Sequence, residues 1–500
     1  MQKNLIIGID SSTTATKAIA WRKDGSIAGE GRSAIGLSRP ANNWYEQDPE
    51  DWWRSTVDAI RQVLQQVPRE SVAAVAISNQ RETFVPLDER GEPVRPAILW
   101  LDQRCAEEVE WLSERVPRIH EITGKPPDMA PVAYRIAWML RNEETLFRRT
   151  RMFADVHTYL VWKLAERFVT SWASADPMGM FDMQRKQWSP EILSALCLTA
   201  DRLPELARPG SVIGEVSESA SKICGLLPGT PIVAGGGDGQ AAGLGVNTVT
   251  AERAYLNLGT ALVSGTYSPE FRVGRAWRTM GSCTGEGCYL ETSLRTGAFL
   301  MDWFAKELCG GGNDIFQSLE AEASQVPVGS DGVLALPYWG AVMTPYWDPK
   351  ARGCFTGITA SHRRAHLYRA LLEGTALEQA LVTRMIEEET STEVREFVAI
   401  GGGASSDLWC QIMADATGRK VLRSSTLEAS SLGAGICAAV GAGWFANAAR
   451  AAAEMTGRIV REFAPGPENA RKYKEVQAVY RELYPNLKEI FVALDGINAR

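Results

Sequence analysis

Histidine is scarce in this 500-residue chain, with only His120, His157, His362 and His366, and no zinc-enzyme ligand set is read from them. No C-x-x-C occurs among the nine cysteines, which are scattered and odd in number. A disulfide framework and a cysteine metal cage are therefore not expected, and a reducing cytoplasm is. Basic charge is also short: 53 Lys and Arg stand against 60 Asp and Glu, a net charge of −7. That excludes a nucleic-acid binder working through a basic face. Long apolar runs are missing. The weakly polar stretch 433–453 is rich in Gly and Ala and broken by Asn447 and Arg450, so it reads as packed helices and no membrane partner is expected. The run Leu5–Ile9 ends at Asp10 with no cleavage-type segment behind it, so no secretory start is expected. No G-x-x-x-x-G-K-[ST] exists, which excludes a P-loop.

What is present is ordinary for a chain with large cores: 45% apolar and 23% charged residues. At roughly 150 residues per domain the length predicts about three domains, or two large ones. The opening reads strand (5–9), polar turn (10–17), strand (18–21) and a hairpin turn at Lys23-Asp24-Gly25. Helical patterns at 49–67, 102–115, 132–142 and 155–164 alternate with short strands at 72–78 and 231–235, an α/β arrangement. About 245 residues on, strand 254–258, the turn Gly259-Thr260 and strand 261–265 repeat the opening. Two lobes of similar plan are expected, joined near 245–252, with a first domain of 1–248 and a second of 249–500. The second carries a long helix over 364–389, a strand at 396–400, a glycine turn, a helix from about Asp407 and a helical tail over 467–500.

Four constellations carry chemistry. In the turn 10–17, hydroxyls and backbone N–H groups suit phosphate oxygens, Asp10 suits Mg²⁺, and Lys17 suits phosphate charge; alone it is a polar hairpin. The Gly259-Thr260 turn would face it and complete a polyphosphate clamp. In Gly235-Gly236-Gly237-Asp238-Gly239-Gln240, an apolar strand ends in glycines and a single acid opens a helix. Asp238 there could accept a proton from a substrate hydroxyl, or simply cap the helix. This segment and 433–438 both match the loose G-x-G-x-x-A pattern, but neither has the later acid that ribose binding needs. In Ser78-Asn79-Gln80-Arg81-Glu82-Thr83, the donors of Arg81 and acceptors of Glu82 suit vicinal hydroxyls of a polyol or sugar; otherwise they form a surface ion pair. Trp100 and Asp102 nearby could add a stacking face and an acceptor, although Trp100 also reads as a core aromatic. Finally, Gly401-Gly402-Gly403 leaves room for a flat ring or an α-phosphate, or is a plain strand–helix connection.

In this order, the segments Ile9–Thr14, Trp44–Trp53, Asn79–Thr83, Ala97–Arg104, Gly237–Gln240, Leu258–Thr260, Thr344–Gly353 and Gly401–Gly403 resemble the FGGY family of carbohydrate kinases over nearly the whole chain. The resemblance implies a two-lobed actin-like ATPase fold, each lobe a ribonuclease-H-like mixed sheet with flanking helices. It implies transfer of the γ-phosphoryl group of MgATP to a sugar or polyol. Asp238 would be the base and Asp10 would hold Mg²⁺. Thr13, Thr14 and Lys17 would line one side of the phosphates, and Gly259 and Thr260 the other. Gly402 and Gly403 would lie by the α-phosphate and adenosine. Arg81 and Glu82, with Trp100 and Asp102, would meet the acceptor. Segment 79–83 is similar to glycerol kinases, and segments 44–53 and 100–104 to xylulokinases. Against glycerol, Asp128–Val132 has no Tyr and Gly239 follows the base; separately, the family's first signature is degraded over Asp128–Ala137, with Arg135 where Lys is usual. The space above Gly239 suggests a pentose-sized acceptor, with D-xylulose the named expectation. Glycerol or another polyol or ketose is the alternative, and an actin-like ATPase switch without a sugar the alternative from another class. The expected partners are ATP, a small sugar or polyol and, for assembly, a homodimer.

Overall fold

The structure is a computed structural model that describes residues 3–312 and 314–498. Its first sheet is built from β1 (Leu5–Ser11), β2 (Ala15–Trp21), β3 (Ile27–Ala34), β4 (Val72–Asn79), β5 (Val212–Glu215) and β6 (Pro231–Gly237), in the order β5-β6-β4-β1-β2-β3. Strands β1 to β3 pair antiparallel, β4 and β6 run parallel to β1, and β5 closes the edge antiparallel. The second sheet uses β7 (Arg253–Leu258), β8 (Leu262–Ser268), β9 (Arg278–Gly281), β10 (Cys288–Leu294), β11 (Glu396–Ile400), β12 (Lys420–Ser424) and β13 (Ile459–Phe463), in the order β9-β10-β8-β7-β11-β12-β13. Its antiparallel meander followed by two parallel strands and an antiparallel edge repeats the first sheet's plan, with β9 added.

Strand alternation decides what covers each face. From β1, Leu5, Ile7 and Ile9 point into a core completed by Trp52, Val57 and Ile60 of helix α1 (Pro49–Leu64). Ile6 points the other way, against Leu432 and Ile436. Each fully buried Ile or Leu contributes about 1.5–3 kcal/mol of transfer free energy. Helix α2 (Asp238–Gly245) follows β6 without a loop. Helix α3 (Arg364–Thr390) crosses the second half, and α4 (Asp407–Thr417) follows the glycine turn after β11. Helices α5 (Ala429–Gly441) and α6 (Ala448–Met455) fill the weakly polar stretch 433–453. Although they come late in sequence, they cover the back of the first sheet and share a core with Trp21, Val233 and Leu244. No helix among the described residues is long and apolar enough to cross a membrane.

Two elements start elsewhere than expected. The polar turn 10–17 is a tighter hairpin: β1 runs through Ser11 and β2 begins at Ala15, because Asp10–Lys17 and Ser11–Thr16 pair in register. The helix expected from Asp102 begins at Ala106, since the Asp102 side chain accepts the N–H of Arg104 and holds a turn instead. The tail forms two helices, Pro467–Tyr480 and Leu483–Asn498; residues 499–500 lie outside the described residues.

Candidate active site

Asp10 and Asp238 end neighbouring regions of one sheet. The parallel register sets Ser78 opposite Asp10, and the Ser78 hydroxyl donates to Asp10 Oδ1 at 3.1 Å. Burial pushes the Asp10 carboxyl up to about 7; the nearby Asp238 charge pushes the same way, while Ser78 and Lys17 pull it down. Lys17 faces Asp10 across the hairpin, yet its ammonium donates to both oxygens of Glu428, at 2.6 and 2.7 Å, just before α5. Lys17 therefore meets a partner in the second half of the chain rather than standing free.

Asp238 is the first residue of α2, one position inside the N-cap Gly237, and its carboxylate meets an N–H of the helix's first turn. Its Oδ1 accepts the Gly239 N–H at 2.8 Å and lies 3.1 Å from Arg81 Nε. Among the described residues Oδ2 carries no hydrogen bond, and the side chain keeps 39% of its exposure. Its carboxyl is raised because surrounding protein strips most of its hydration; Arg81 and the Gly239 N–H oppose that shift. The group is thus enclosed by protein but reachable through the cleft. Ser430, at the start of α5, donates its hydroxyl to the Asp238 carbonyl at 3.1 Å.

Arg81 and Glu82 do not pair with each other. Arg81 Nη1 donates to Glu291 Oε2 at 2.8 Å, and Arg278 Nη1 donates to Glu82 Oε1 at 2.7 Å. Both partners lie on β9 and β10. Glu82 sits at φ 51°, a left-handed conformation, and its carbonyl accepts from Arg135. The guanidinium of Arg135 also takes the carbonyls of Met129 and Ala130, so it clamps the bend that aims Glu82. Trp100 is 42% exposed rather than a core aromatic, and its Nε1 donates to Thr13 Oγ1 at 3.0 Å. Asp102 is buried: one oxygen takes Arg104, and the other takes Arg104 and the Tyr45 N–H at 2.6 Å. Its carboxylate is committed to fixing the loop that carries Trp100.

The space read above Gly239 is filled. A Cβ on Gly239 would come 3.0 Å from the Arg81 guanidinium and 3.1 Å from Glu291 Oε2. The missing side chain makes room for Arg81 and Glu291 and leaves no added space for an acceptor larger than glycerol.

In the second half, Gly259 and Thr260 form the β7–β8 hairpin tip, and Thr14 and Thr260 at the two tips are exposed. The carbonyls of Gly259 and Thr260 accept from Ala298 and Gly297, which pins the second tip. The glycine turn packs beside it: a Cβ on Gly401 would lie 3.0 Å from the Leu258 carbonyl carbon and 3.1 Å from the Gly259 nitrogen. Gly402 is open to solvent. Gly403 is not, because Trp409 and the Leu258 carbonyl occupy the place of a side chain. The structure thus brings Asp10, Lys17 and Asp238 together with Arg81 and Glu82, and Gly259 and Thr260 with the 401–403 turn.

Sequence reasoning missed Glu291, Arg278, Tyr255 and Glu428. Glu291 had a signal: it is a charge at the centre of Cys288–Leu294, a strand buried at every position. Burial alone would raise its carboxyl, but Arg81 and Arg278 together hold it at about 2. No three His, Cys, Asp or Glu among the described residues cluster to hold a metal ion.

Comparison with known proteins agrees with this architecture. The family model for the N-terminal domain of the FGGY carbohydrate kinases matches residues 5–245, and that for the C-terminal domain matches residues 254–442. The xylulose kinase of Escherichia coli is 31% identical over 97% of this chain and 99% of its own length. A glycerol kinase of Saccharolobus islandicus is 29% identical over 98% and 96%. The crystal structure of the xylulose kinase from Rhodospirillum rubrum superposes with a TM-score of 0.91 at 26% identity, covering 97% of this chain and 99% of that one. The two mixed sheets with flanking helices form the actin-like two-lobed fold of such kinases. The chain belongs to the FGGY family of carbohydrate kinases, whose members are ATP-dependent phosphotransferases.

Proposed function

We propose that this chain transfers the γ-phosphoryl group of ATP to a hydroxyl of a pentulose or polyol, with D-xylulose the first candidate and Asp238 the general base. The observation that carries the reading is Asp238 itself. Its Oδ1 is fixed by Arg81 and Gly239, and its Oδ2 is left to take a hydroxyl proton at the open end of the cleft. The xylulose kinases of E. coli and R. rubrum, alike over almost their full lengths, support the choice of sugar. The glycerol-kinase-like segment Asn79–Thr83 and the S. islandicus relative favour glycerol as a second reading.

In this account two lobes, 1–248 and 249–500, close on the substrates. Thr13, Thr14 and Lys17 line one side of the phosphates, and Gly259 and Thr260 line the other. Gly402 and Gly403 lie near the α-phosphate and adenosine, Gly402 as open backbone. Arg81 and Glu82 orient the acceptor and Trp100 gives it an apolar wall. Mg²⁺ fits the residues present: Asp10 and Asp238 bring two like charges close together, and this ion commonly takes one or two carboxylates plus phosphate oxygens. When bound it would neutralise charge on the phosphates. Asp10 would hold it, and Asp238 would keep the acceptor's proton on Oδ2. Closure would exclude water and limit wasteful hydrolysis of ATP. A cytoplasmic location suits both substrates, and the nine unpaired cysteines support it.

The test is ADP release across D-xylulose, D-ribulose, xylitol, D-gluconate and glycerol, with the product read by mass. Equal amounts of ADP and a pentulose phosphate are expected. Acceptor-independent ADP release would overturn the reading, and glycerol phosphate as the main product would select the second one.

A further inference from the structure

The charges at the acceptor end of the cleft narrow the reading above, on which this inference rests. Arg81 and Arg278 are bridged on both sides: Arg81 to Asp238 and Glu291, Arg278 to Glu82 and Glu291. The arginine side chains are 9% exposed and that of Glu291 is 0%. Glu291 is fully subscribed. Its Oε1 accepts from Nε and Nη2 of Arg278, each at 2.7 Å. Its Oε2 accepts from Arg81 and from the Tyr255 hydroxyl, at 2.8 and 2.7 Å. Within this ion-pair network two guanidinium groups face three carboxylates, those of Glu82, Glu291 and Asp238, while the nearby Arg135 is turned to the backbone carbonyls of Glu82, Met129 and Ala130. Lys125, buried alongside, is paired with Asp176.

We propose that Glu291, reaching from the second lobe, is a specificity-determining residue that reserves the acceptor site for neutral polyols and ketoses and rejects aldonates and other carboxylate-bearing sugars. A carboxylate is bound well where a guanidinium fork is free to meet it. Here both forks already carry carboxylates, so an acidic acceptor would find no free fork and would have to approach beside the charges of Glu291, Glu82 and Asp238. A neutral hydroxyl needs only single donors and acceptors, which the outer atoms of Arg81, Glu82 and Asp238 supply. Replacing Glu291 by Gln keeps the shape, removes one negative charge and frees part of the Arg81 guanidinium.

The test compares kcat/KM for D-xylulose and xylitol with that for D-xylonate and D-gluconate, in the parent enzyme and in Glu291→Gln. Competition by each aldonate against the neutral acceptor is measured alongside. The parent is expected to phosphorylate a neutral acceptor and to show no competition from either aldonate. Glu291→Gln should shift the selectivity ratio toward the aldonates about tenfold or more, the scale of one charge-assisted hydrogen bond. A parent enzyme that uses D-gluconate as well as any neutral acceptor would overturn the proposal. So would a folded Glu291→Gln enzyme, shown by its melting, with an unchanged ratio. If that variant does not fold, the parent's ratio and its aldonate competition decide alone. Failure to phosphorylate any acceptor counts against the kinase reading itself, whereas phosphorylation of aldonates counts only against this inference.

Discussion

Asp10, Asp238, Glu291 and Glu378 are carboxyl groups enclosed by protein, and their neighbours set them apart. Glu291 has two arginines and is held at about 2, whereas Asp10 is pushed to about 7 by burial, with the nearby Asp238 carboxylate adding to it. Glu378, in the middle of α3, has only the hydroxyls of Tyr338 and Tyr480. Burial raises it from its ordinary 4.5 to about 7, and the two hydroxyls only partly offset that. Between these values the folded protein holds a proton that the unfolded chain has released. The contribution of this group is therefore full below about 4.5 and lost as pH rises through 7. Glu378→Gln does not titrate, so its melting temperature relative to the parent should rise from pH 5 to pH 8. A difference that stays constant over that range would contradict the assignment. Asp10 and Asp238 were legible in the sequence because each is a lone acid at the end of an apolar strand, a costly placement that calls for a reason. The committed state of Asp102 was only half legible: Arg104, two residues on, takes most of its bonds, but the Tyr45 N–H comes from far back in the chain. The filled space above Gly239 was not legible, since it depends on Glu291, 210 residues from Arg81.

At the scale of elements, the seam between α2 and α5 fixes where Asp238 points. A Cβ on Gly433 of α5 would overlap the Ala241 carbonyl of α2, and one on Gly245 of α2 would overlap the Ala429 carbonyl. Gly8 of β1 meets the backbone of Ser431 in the same way. These glycines let the helices approach backbone to backbone, so the fit admits no added methyl. Gly433→Ala should destabilise by about 1–3 kcal/mol, read by denaturant unfolding, because the seam must open to accept it. A change within a few tenths of a kcal/mol would mean that α5 does not set the position of α2. The sequence showed that 433–453 is helical and packed. It did not show what the helices pack on, because α5 lies more than 400 residues from β1 and no local pattern encodes that docking. The hairpins, by contrast, were read from adjacent strands, and only their lengths changed when cross-strand pairing drew Ser11 and Thr16 into the ladder.

At the scale of the whole molecule, two sheets of the same plan carry the turns proposed for the phosphates and the side chains proposed for the acceptor. The second half reaches the candidate site: Glu291 and Arg278 brace Arg81 and Glu82, and Glu428 holds Lys17. The repeat of strand, hydroxyl turn and strand gave the two-lobed plan away, and the ordered motifs gave the family. The cross-lobe ion pairs join residues hundreds of positions apart and emerge only in three dimensions. The proposed phosphoryl transfer depends on Asp238 as the base. The decisive measurement is the rate of phosphoryl transfer by Asp238→Asn, with its nucleotide affinity measured on the same sample. General-base catalysis contributes about 10²–10⁴-fold, so the rate should fall by that order while nucleotide affinity stays close to the parent's. A variant within tenfold of the parent rate would remove Asp238 from the chemistry.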